Sequence, residues 1–387
     1  MKKIFFTGLA IFLAVVLIIV VFIISTLAHL PNVAILKHYR PAAAAEVLDK
    51  DGNVLTQFYD RKYRIWVPIK GLPDIVIKAV VTAEDDTFFE HHGVNYKATW
   101  DALVLDVQKR RYARGGSTIT QQMIKNVFLS KEKTITRKIR EYVLATTAEE
   151  MLTKRQILEI YLNEVEWGEN IYGIEAASRY YLDKHASELT IGEAALLAGM
   201  LPNPRYYNPA KRPEKARKRQ ERVLFNMQQA KLISQDEYAA ALAAPLQLRK
   251  DDAGRFDLSA LTGATGRPCY QRVLEQILEN NFGEQALYRG GMTIRSTLDK
   301  TLQEELNRLE TSSDNTQANG RVTVIEQDGK IRALVCGTGR EEELRAKVNS
   351  PVSFAGNYTV NTVATEDVTR EQIILPSSSH TETQPSR

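Results

Sequence analysis

Gly115-Gly116-Ser117-Thr118-Ile119-Thr120-Gln121-Gln122-Met123-Ile124-Lys125-Asn126 reads as a turn running into a helix. The two glycines supply the turn, and Ser117 is of the residue type that caps a helix N-terminus. Ile119, Met123 and Val127 recur at i, i+4, i+8 as one stripe, with Ser117, Gln121 and Lys125 forming another roughly opposite. Such a helix buries one side and offers hydroxyl, amide and ammonium groups on the other. Helix N-termini favour anions and a lysine adds a point charge, so a phosphate or pyrophosphate ligand fits. A surface helix with a polar face is the plainer alternative.

The helical pattern extends from Pro73 to about Ala244. Thr153 with Gln156, Thr190 with Glu193 and Ser234 with Glu237 have capping-box spacing ahead of apolar-periodic runs. Residues 42–69 read as a small β region, with an Asp51-Gly52 hairpin signal and a third strand expected over Arg64–Ile69. Further on, Val273–Leu278 and Leu298–Leu309 predict short helices, and Arg321–Gly337 a hairpin around Asp328-Gly329. Past Ser350 the chain turns to Ser, Thr, Pro and charge, a composition that cannot build a core.

At the N-terminus, Lys2 and Lys3 precede an uncharged run from Ile4 to Ala28. At about 1.5 Å per residue this run spans a hydrocarbon core of roughly 30 Å. The expectation is an uncleaved anchor, its N-terminus cytoplasmic by the positive-inside rule and the remaining chain outside. Net charge is +4, too mild for nucleic acid, and Cys269 and Cys336 alone exclude a disulfide framework or a Cys/His metal spacing.

Within Glu84-Asp85-Asp86-Thr87-Phe88-Phe89-Glu90-His91-His92-Gly93, Glu84 falls near the C-terminal end of a helix that Asp74 can cap. The negative end of the helix dipole raises the pKa of a carboxyl placed there, as general-base work near neutral pH requires. Taken alone, a solvated acidic turn is the simpler reading. In Arg137-Lys138-Ile139-Arg140-Glu141, Arg137 and Glu141 are spaced to pair, and a carboxylate among cations stays ionised. Two carboxylates of split pKa are an acid/base signature at glycosidic centres. Thr153–Asn163 reads mainly as a core helix, with Asn163 near its end placed to orient a neighbour. Ala210–Arg222 carries seven cations against Glu214 and Glu221; a charge run is usually a solvated face, though it also suits anionic head groups or a pyrophosphate. Trp100, Leu103, Val104 and Val107, followed by Lys109, Arg110, Arg111 and Arg114, suit an interfacial helix or a core-facing one equally.

In this order the segments resemble family 51 glycosyltransferases, the glycan-polymerising domain of class A penicillin-binding proteins and of monofunctional peptidoglycan glycosyltransferases. Glu84–Gly93 is similar to the EDxxFxxHxG-like segment, and GGSTITQQ stands unaltered at Gly115–Gln122. RKxxE is Arg137–Glu141, KxxILxxYLN is matched by Lys154 and Arg155–Asn163, and RxxxVL is Arg219–Leu224. The resemblance covers roughly residues 45–245. It implies a mainly α fold with a lysozyme-like core, on the extracytoplasmic face of the bacterial cytoplasmic membrane. The substrates implied are lipid II and a lipid-linked glycan chain, and other cell-wall synthesis proteins are natural partners. Glu84 would be the general base, and Glu141 would hold the pyrophosphate region, with at most a divalent cation (Mg or Mn) beside it. Lys125, Arg137, Lys138 and Arg219 would neutralise phosphate charge. Asp85, Ser117, Gln121, Gln122 and Asn163 complete the expected substrate-binding set. A lysozyme-like glycan hydrolase and a non-catalytic assembly scaffold are the alternatives.

The division expected is an anchor (1–30), a β-containing linker (31–70), the glycosyltransferase domain (71–248), a linker with a transpeptidase-like remnant (249–350) and a disordered tail (351–387). Phe282–Asp299 resembles the linker ahead of a transpeptidase domain, but no KTG or SxN segment occurs, and the SxxK at Ser130–Lys133 lies in the wrong region. Penicillin binding is not expected.

Overall fold

The computed structural model describes residues 2–28, 30–59, 62–101, 116–130, 132, 134–168, 170–249, 269–283, 287–288, 290–307, 321–328, 330–336, 359–364 and 373. Its helices are α1 (Lys2–Leu27), α2 (Asp74–Glu84), α3 (Ile119–Phe128), α4 (Ile135–Met151), α5 (Lys154–Glu164), α6 (Ile174–Leu182), α7 (Ile191–Met200), α8 (Pro213–Gln229), α9 (Gln235–Ala243), α10 (Cys269–Phe282) and α11 (Lys300–Asn307). The strands are β1 (Ala45–Leu48), β2 (Val54–Phe58), β3 (Tyr63–Arg64), β4 (Glu166–Gly168), β5 (Ile171–Tyr172), β6 (Thr293–Arg295), β7 (Arg321–Gln327), β8 (Lys330–Cys336) and β9 (Thr359–Ala364). The chain forms two compact units, one of residues 1–41 and 66–256, the other of 42–65 and 257–387.

The first unit is helical. Capping boxes start α3 (Thr118 with Gln121), α5 (Thr153 with Gln156), α7 (Thr190 with Glu193) and α9 (Ser234 with Glu237). Each satisfies two backbone donors that the first turn leaves orphaned. The cap of α3 is therefore Thr118, one residue beyond the expected Ser117. Asp74 is likewise the first helical residue of α2 rather than its cap, placed where a negative charge suits the dipole. From Ala194 to Met200 helix α7 is buried, and it packs against both α2 and α8. At Gly199 an added Cβ would meet the Arg219 backbone at 3.2–3.3 Å, so the glycine sets how closely α7 and α8 approach. Helix α3 packs on α4 and α5 and buries Ile119, Met123 and Ile124.

Helix α1 forms over the expected N-terminal run, and its described apolar side chains from Phe6 to Ile24 are exposed. Among the described residues, no helix is long and apolar enough to cross a membrane, and the side chains of residues 1–5, 8 and 10 are not among those described. The fold thus supplies the helix without establishing the crossing.

In the second unit, β1 and β2 pair antiparallel around a turn in which Asp49 Oδ1 accepts from the N–H groups of Asp51 and Asn53. β1 also pairs in parallel with β6, Val47 opposite Ile294, giving the order β2-β1-β6. A second sheet has the order β8-β7-β9. Tyr270, Val273, Leu274, Ile277 and Leu278 of α10 share a core with Val47, Phe58, Val324 and Leu334. Buried Gln303 mimics a strand neighbour, donating to Leu334 O at 2.8 Å and accepting from Leu334 N at 2.9 Å. Where one strand was expected over Arg64–Ile69, only Tyr63–Arg64 is extended and paired, because Pro68 has no N–H for a ladder and leads into a 3-10 turn at Ile69–Gly71. The expected helices at 273–278 and 298–309 are α10 and α11. Leu103–Arg114 and most of the tail lie outside the described residues, while Trp100 is exposed.

Candidate active site

Glu84 is the last residue of α2, on the helix that α7 and α8 hold in place. Its carboxyl accepts from Gln122 Nε2 of α3 at 2.8 Å. Burial pushes its pKa up, the Gln122 hydrogen bond and the charges of Arg219 and Lys125 pull it back, and Asp85 adds to the rise. The expected direction holds, with desolvation as the leading cause rather than the helix dipole.

Behind Gln122 stands Tyr161 of α5, fully buried, whose hydroxyl donates to Gln122 Oε1 at 3.3 Å. Its pKa is driven well up by burial and then by Glu84 and Asp85, so the phenol keeps its proton. Tyr161 lies within the core helix expected over Thr153–Asn163 and is buried there. The signal available was chemical: a buried tyrosine needs a partner for its hydroxyl.

Gln121 and Gln122 are adjacent, and a helix separates adjacent side chains by about 100°. Gln122 faces Glu84. Gln121 turns inward with no exposed surface, its Oε1 accepting from the Thr118 N–H at 3.0 Å. The fold therefore uses Gln121 as a capping group, against the expectation that it meets substrate.

Asp85 is buried one residue beyond α2. It accepts from the Ile119 N–H at 2.9 Å and lies 3.0 Å from His91 Nε2. A charge-assisted bond to a helix N-terminus ties the start of α3 to the end of α2. Thr118 Oγ1 adds a second tie, donating to Gly93 O at 2.6 Å. Gly93 has φ +80°, and a Cβ there would sit 2.6 Å from Ala145 O, so only glycine fits.

The second carboxylate, Glu141 of α4, is buried. Arg137 Nε lies 3.1 Å from its Oε1 and Lys138 Nζ 3.0 Å from its Oε2, while Lys138 also donates to Ser117 Oγ at 2.9 Å. Lys125 of α3 joins the two carboxylates electrostatically. Burial lowers its pKa, Glu141 and Glu84 raise it, and Arg137 and Lys138 lower it. Among the described residues Lys125 has no direct ion pair. The structure thus brings Glu84, Gln122, Lys125, Arg137, Lys138, Glu141 and Ser117 into one neighbourhood. Arg219 of α8 belongs to it through its charge on Glu84, held by Nε donating to Gly199 O at 3.2 Å and by the Tyr207 ring 5.3 Å from its guanidinium carbon.

Asn163 does not join them. It is fully buried, accepting from Val67 N at 2.9 Å and donating to Val67 O and Glu159 O, both at 2.8 Å. All its visible bonding capacity fixes the chain entering the unit.

The divalent cation implied by the family resemblance does not fit Glu141. Both carboxylate oxygens already face cations, and among the described residues no group of three His, Cys, Asp or Glu side chains converges.

Residues 51–228 match the family model described as Transglycosylase. Penicillin-binding protein 1A of Aquifex aeolicus is 35% identical over 80% of this chain and 42% of its own length. Penicillin-binding protein 1A of Vibrio cholerae is 34% identical over 73% of this chain and 33% of its own. The chain spans less than half the length of these curated relatives. The crystal structure of penicillin-binding protein 1A from Haemophilus influenzae overlaps with a TM-score of 0.38 at 19% identity, covering 78% of this chain and 39% of that one.

Proposed function

Residues 51–228 are a transglycosylase domain, and on that premise we propose that the protein is a peptidoglycan glycosyltransferase polymerising lipid II into glycan strands. Glu84 takes the proton of the acceptor sugar hydroxyl as that oxygen attacks the anomeric carbon of the lipid-linked donor. The configuration inverts and polyprenyl pyrophosphate leaves. Lys125, Arg137, Lys138 and Arg219 supply the positive field in which pyrophosphate charge develops. Glu141 keeps Arg137 and Lys138 placed and partly offsets their mutual repulsion. No step requires a metal, since the cations already do the neutralising.

One observation carries this reading: a carboxyl whose pKa is raised by burial lies in the field of Lys125, which also senses the Glu141–Arg137–Lys138 cluster. A base poised upward next to surplus positive charge suits transfer from a pyrophosphate-linked sugar. A plain hydrolase would use two carboxylates without that surplus. Helix α1, with its apolar side chains from Phe6 to Ile24 turned outward, supports single-pass anchoring in the cytoplasmic membrane with the site on the far side. The lysozyme-like character of the core is part of the same proposal.

The test is lipid II polymerisation by the purified full chain in detergent, wild type beside Glu84→Gln. Glycan from the wild type alone supports the assignment. Glycan from neither, under conditions in which a known polymerase works, moves the scaffold reading ahead, and degradation of preformed glycan moves the hydrolase ahead.

A further inference from the structure

Helix α8 serves the site with Arg219, but most of its charge faces elsewhere. Ala216, Gln220, Val223, Leu224 and Met227 are buried. On the opposite side Lys215, Lys218, Arg222 and Phe225 are exposed, spaced three, four and three residues apart, which is one stripe of a 3.6-residue helix. The loop before the helix extends the stripe. Exposed Tyr206 receives Lys215 Nζ at 4.1 Å and Arg212 Cζ at 4.9 Å from its ring centroid, and Lys215 donates to its hydroxyl at 2.6 Å.

Among the described residues none of Arg205, Arg212, Lys215, Lys218 and Arg222 forms an ion pair. Glu221 is taken by Arg217 at 3.4 Å, and Arg217 is itself held on the α9 side by the Leu242 carbonyl. A face kept merely soluble intersperses both signs of charge. This one sets five cations that form no ion pair against exposed Glu214 and closes on a half-exposed phenylalanine, 49% accessible. Cations with aromatic side chains at their edge are the composition of a helix resting on a charged lipid interface.

We propose that the Arg205–Phe225 face of α8 and its preceding loop docks on the head groups of an anionic lipid bilayer. The cations meet lipid phosphates, while Tyr206 and Phe225 enter the head-group layer. The inference is independent of Glu84 and of the polymerase reading, and it leaves Arg219 to the site.

The experiment is lysine acetylation, read residue by residue by mass spectrometry on the full chain. The protein is reconstituted in vesicles of phosphatidylcholine alone or with about one third phosphatidylglycerol. Acetylation of Lys215 and Lys218 is expected to slow about 10-fold or more in the anionic vesicles and to recover in 0.5 M salt. In the Lys218→Gln/Arg222→Gln variant, protection of Lys215 should weaken roughly 30-fold in apparent affinity, taking each cation near an anionic surface as worth about a factor of five. Equal rates in both vesicle types overturn the proposal, as does slowing spread evenly over every lysine. Protection by soluble polyphosphate without protection by the anionic vesicles overturns it too, in favour of an anionic polymer as the partner.

Discussion

The Gln122 amide nitrogen lies 2.8 Å from a Glu84 carboxylate oxygen, and Gln122 is oriented from behind by the Tyr161 hydroxyl. A glutamine amide has one donating and one accepting end, and rotation by half a turn exchanges them. The ionised Glu84 carboxylate only accepts, so Nε2 faces it, and the Tyr161 phenol holds that orientation by donating to Oε1. Tyr161→Phe removes that constraint. Flipped, Gln122 would present oxygen to the carboxyl and push its pKa higher still. We expect kcat to fall roughly 5- to 10-fold with little change in KM, and the acid limb of the kcat–pH profile to move up. A uniform loss across the pH range would show that Tyr161 only fills space.

Glu84→Gln keeps the shape and removes the base. The expected cost in kcat is between about 100- and 10,000-fold. Stability should move the other way. Burial raises the native pKa of Glu84 above its ordinary 4.5, so the native state favours the protonated form. The resulting contribution is complete below pH 4.5 and is lost as pH rises through the native value. Above that value the variant should be more stable than wild type by on the order of 1 kcal/mol, and near pH 4 the two should converge. Urea unfolding at both pH values measures the difference.

The pH profile of the wild type should be a bell. Glu84 must lose its proton to act, so the acid limb falls above pH 4.5. Lys125 must keep its proton, and burial holds its pKa below the ordinary 10.5, so the alkaline limb falls below that value. Lys125→Ala should abolish the alkaline limb while raising KM, whereas a limb left in place would assign it to another group.

Glu141→Ala leaves Arg137 and Lys138 beside each other without their anion. Because Lys138 is partly solvated, the loss should be nearer 2–3 kcal/mol than the larger penalties of a fully buried pair, read as a lowered urea midpoint. Added Mg²⁺ should not restore activity in this variant, since the cluster offers cations rather than vacant carboxylate oxygens.

Asn163→Ala separates structure from substrate binding. It unmakes the bonds to Val67 and Glu159, at a cost of about 2–3 kcal/mol in stability. Activity per folded molecule should stay within about twofold of wild type. A selective rise in KM at full stability would return Asn163 to the substrate-binding set.

The helical unit was legible because its signals are local. Thr153, Thr190 and Ser234 announce their helices through partners three residues away, and the structure uses each in that way. Glu84, Lys125, Arg137, Lys138 and Glu141 stand in segments whose spacing also allows a solvated turn, a polar surface helix or a local salt bridge, and the order of motifs resembling family 51 glycosyltransferases singles them out. What spacing could not decide was which of two neighbours faces the site. Ser117 against Thr118 as the cap, and Gln121 against Gln122 as the partner of Glu84, each turn on a single residue of phase set by how α3 packs on α4 and α5. Tyr161 is buried as the expected core helix requires, but its hydroxyl contact with Gln122, like that of Asn163 with Val67, depends on atoms that come close only after folding. The pairing of β1 with β6 is non-local, and no turn chemistry in either segment signals it.

That last pairing also bears on how the chain is made. Val47 and its neighbours cannot gain their parallel partner until Thr293–Arg295 have been synthesised. Meanwhile the helices from Asp74 to Ala243 emerge complete, so α2 can meet α7 and α8 before residue 293 is made. The helices are therefore placed to fold first, while the β1–β2 hairpin waits with one backbone edge open to other chains. A ribosome stalled before residue 293 would leave that edge without its intended neighbour.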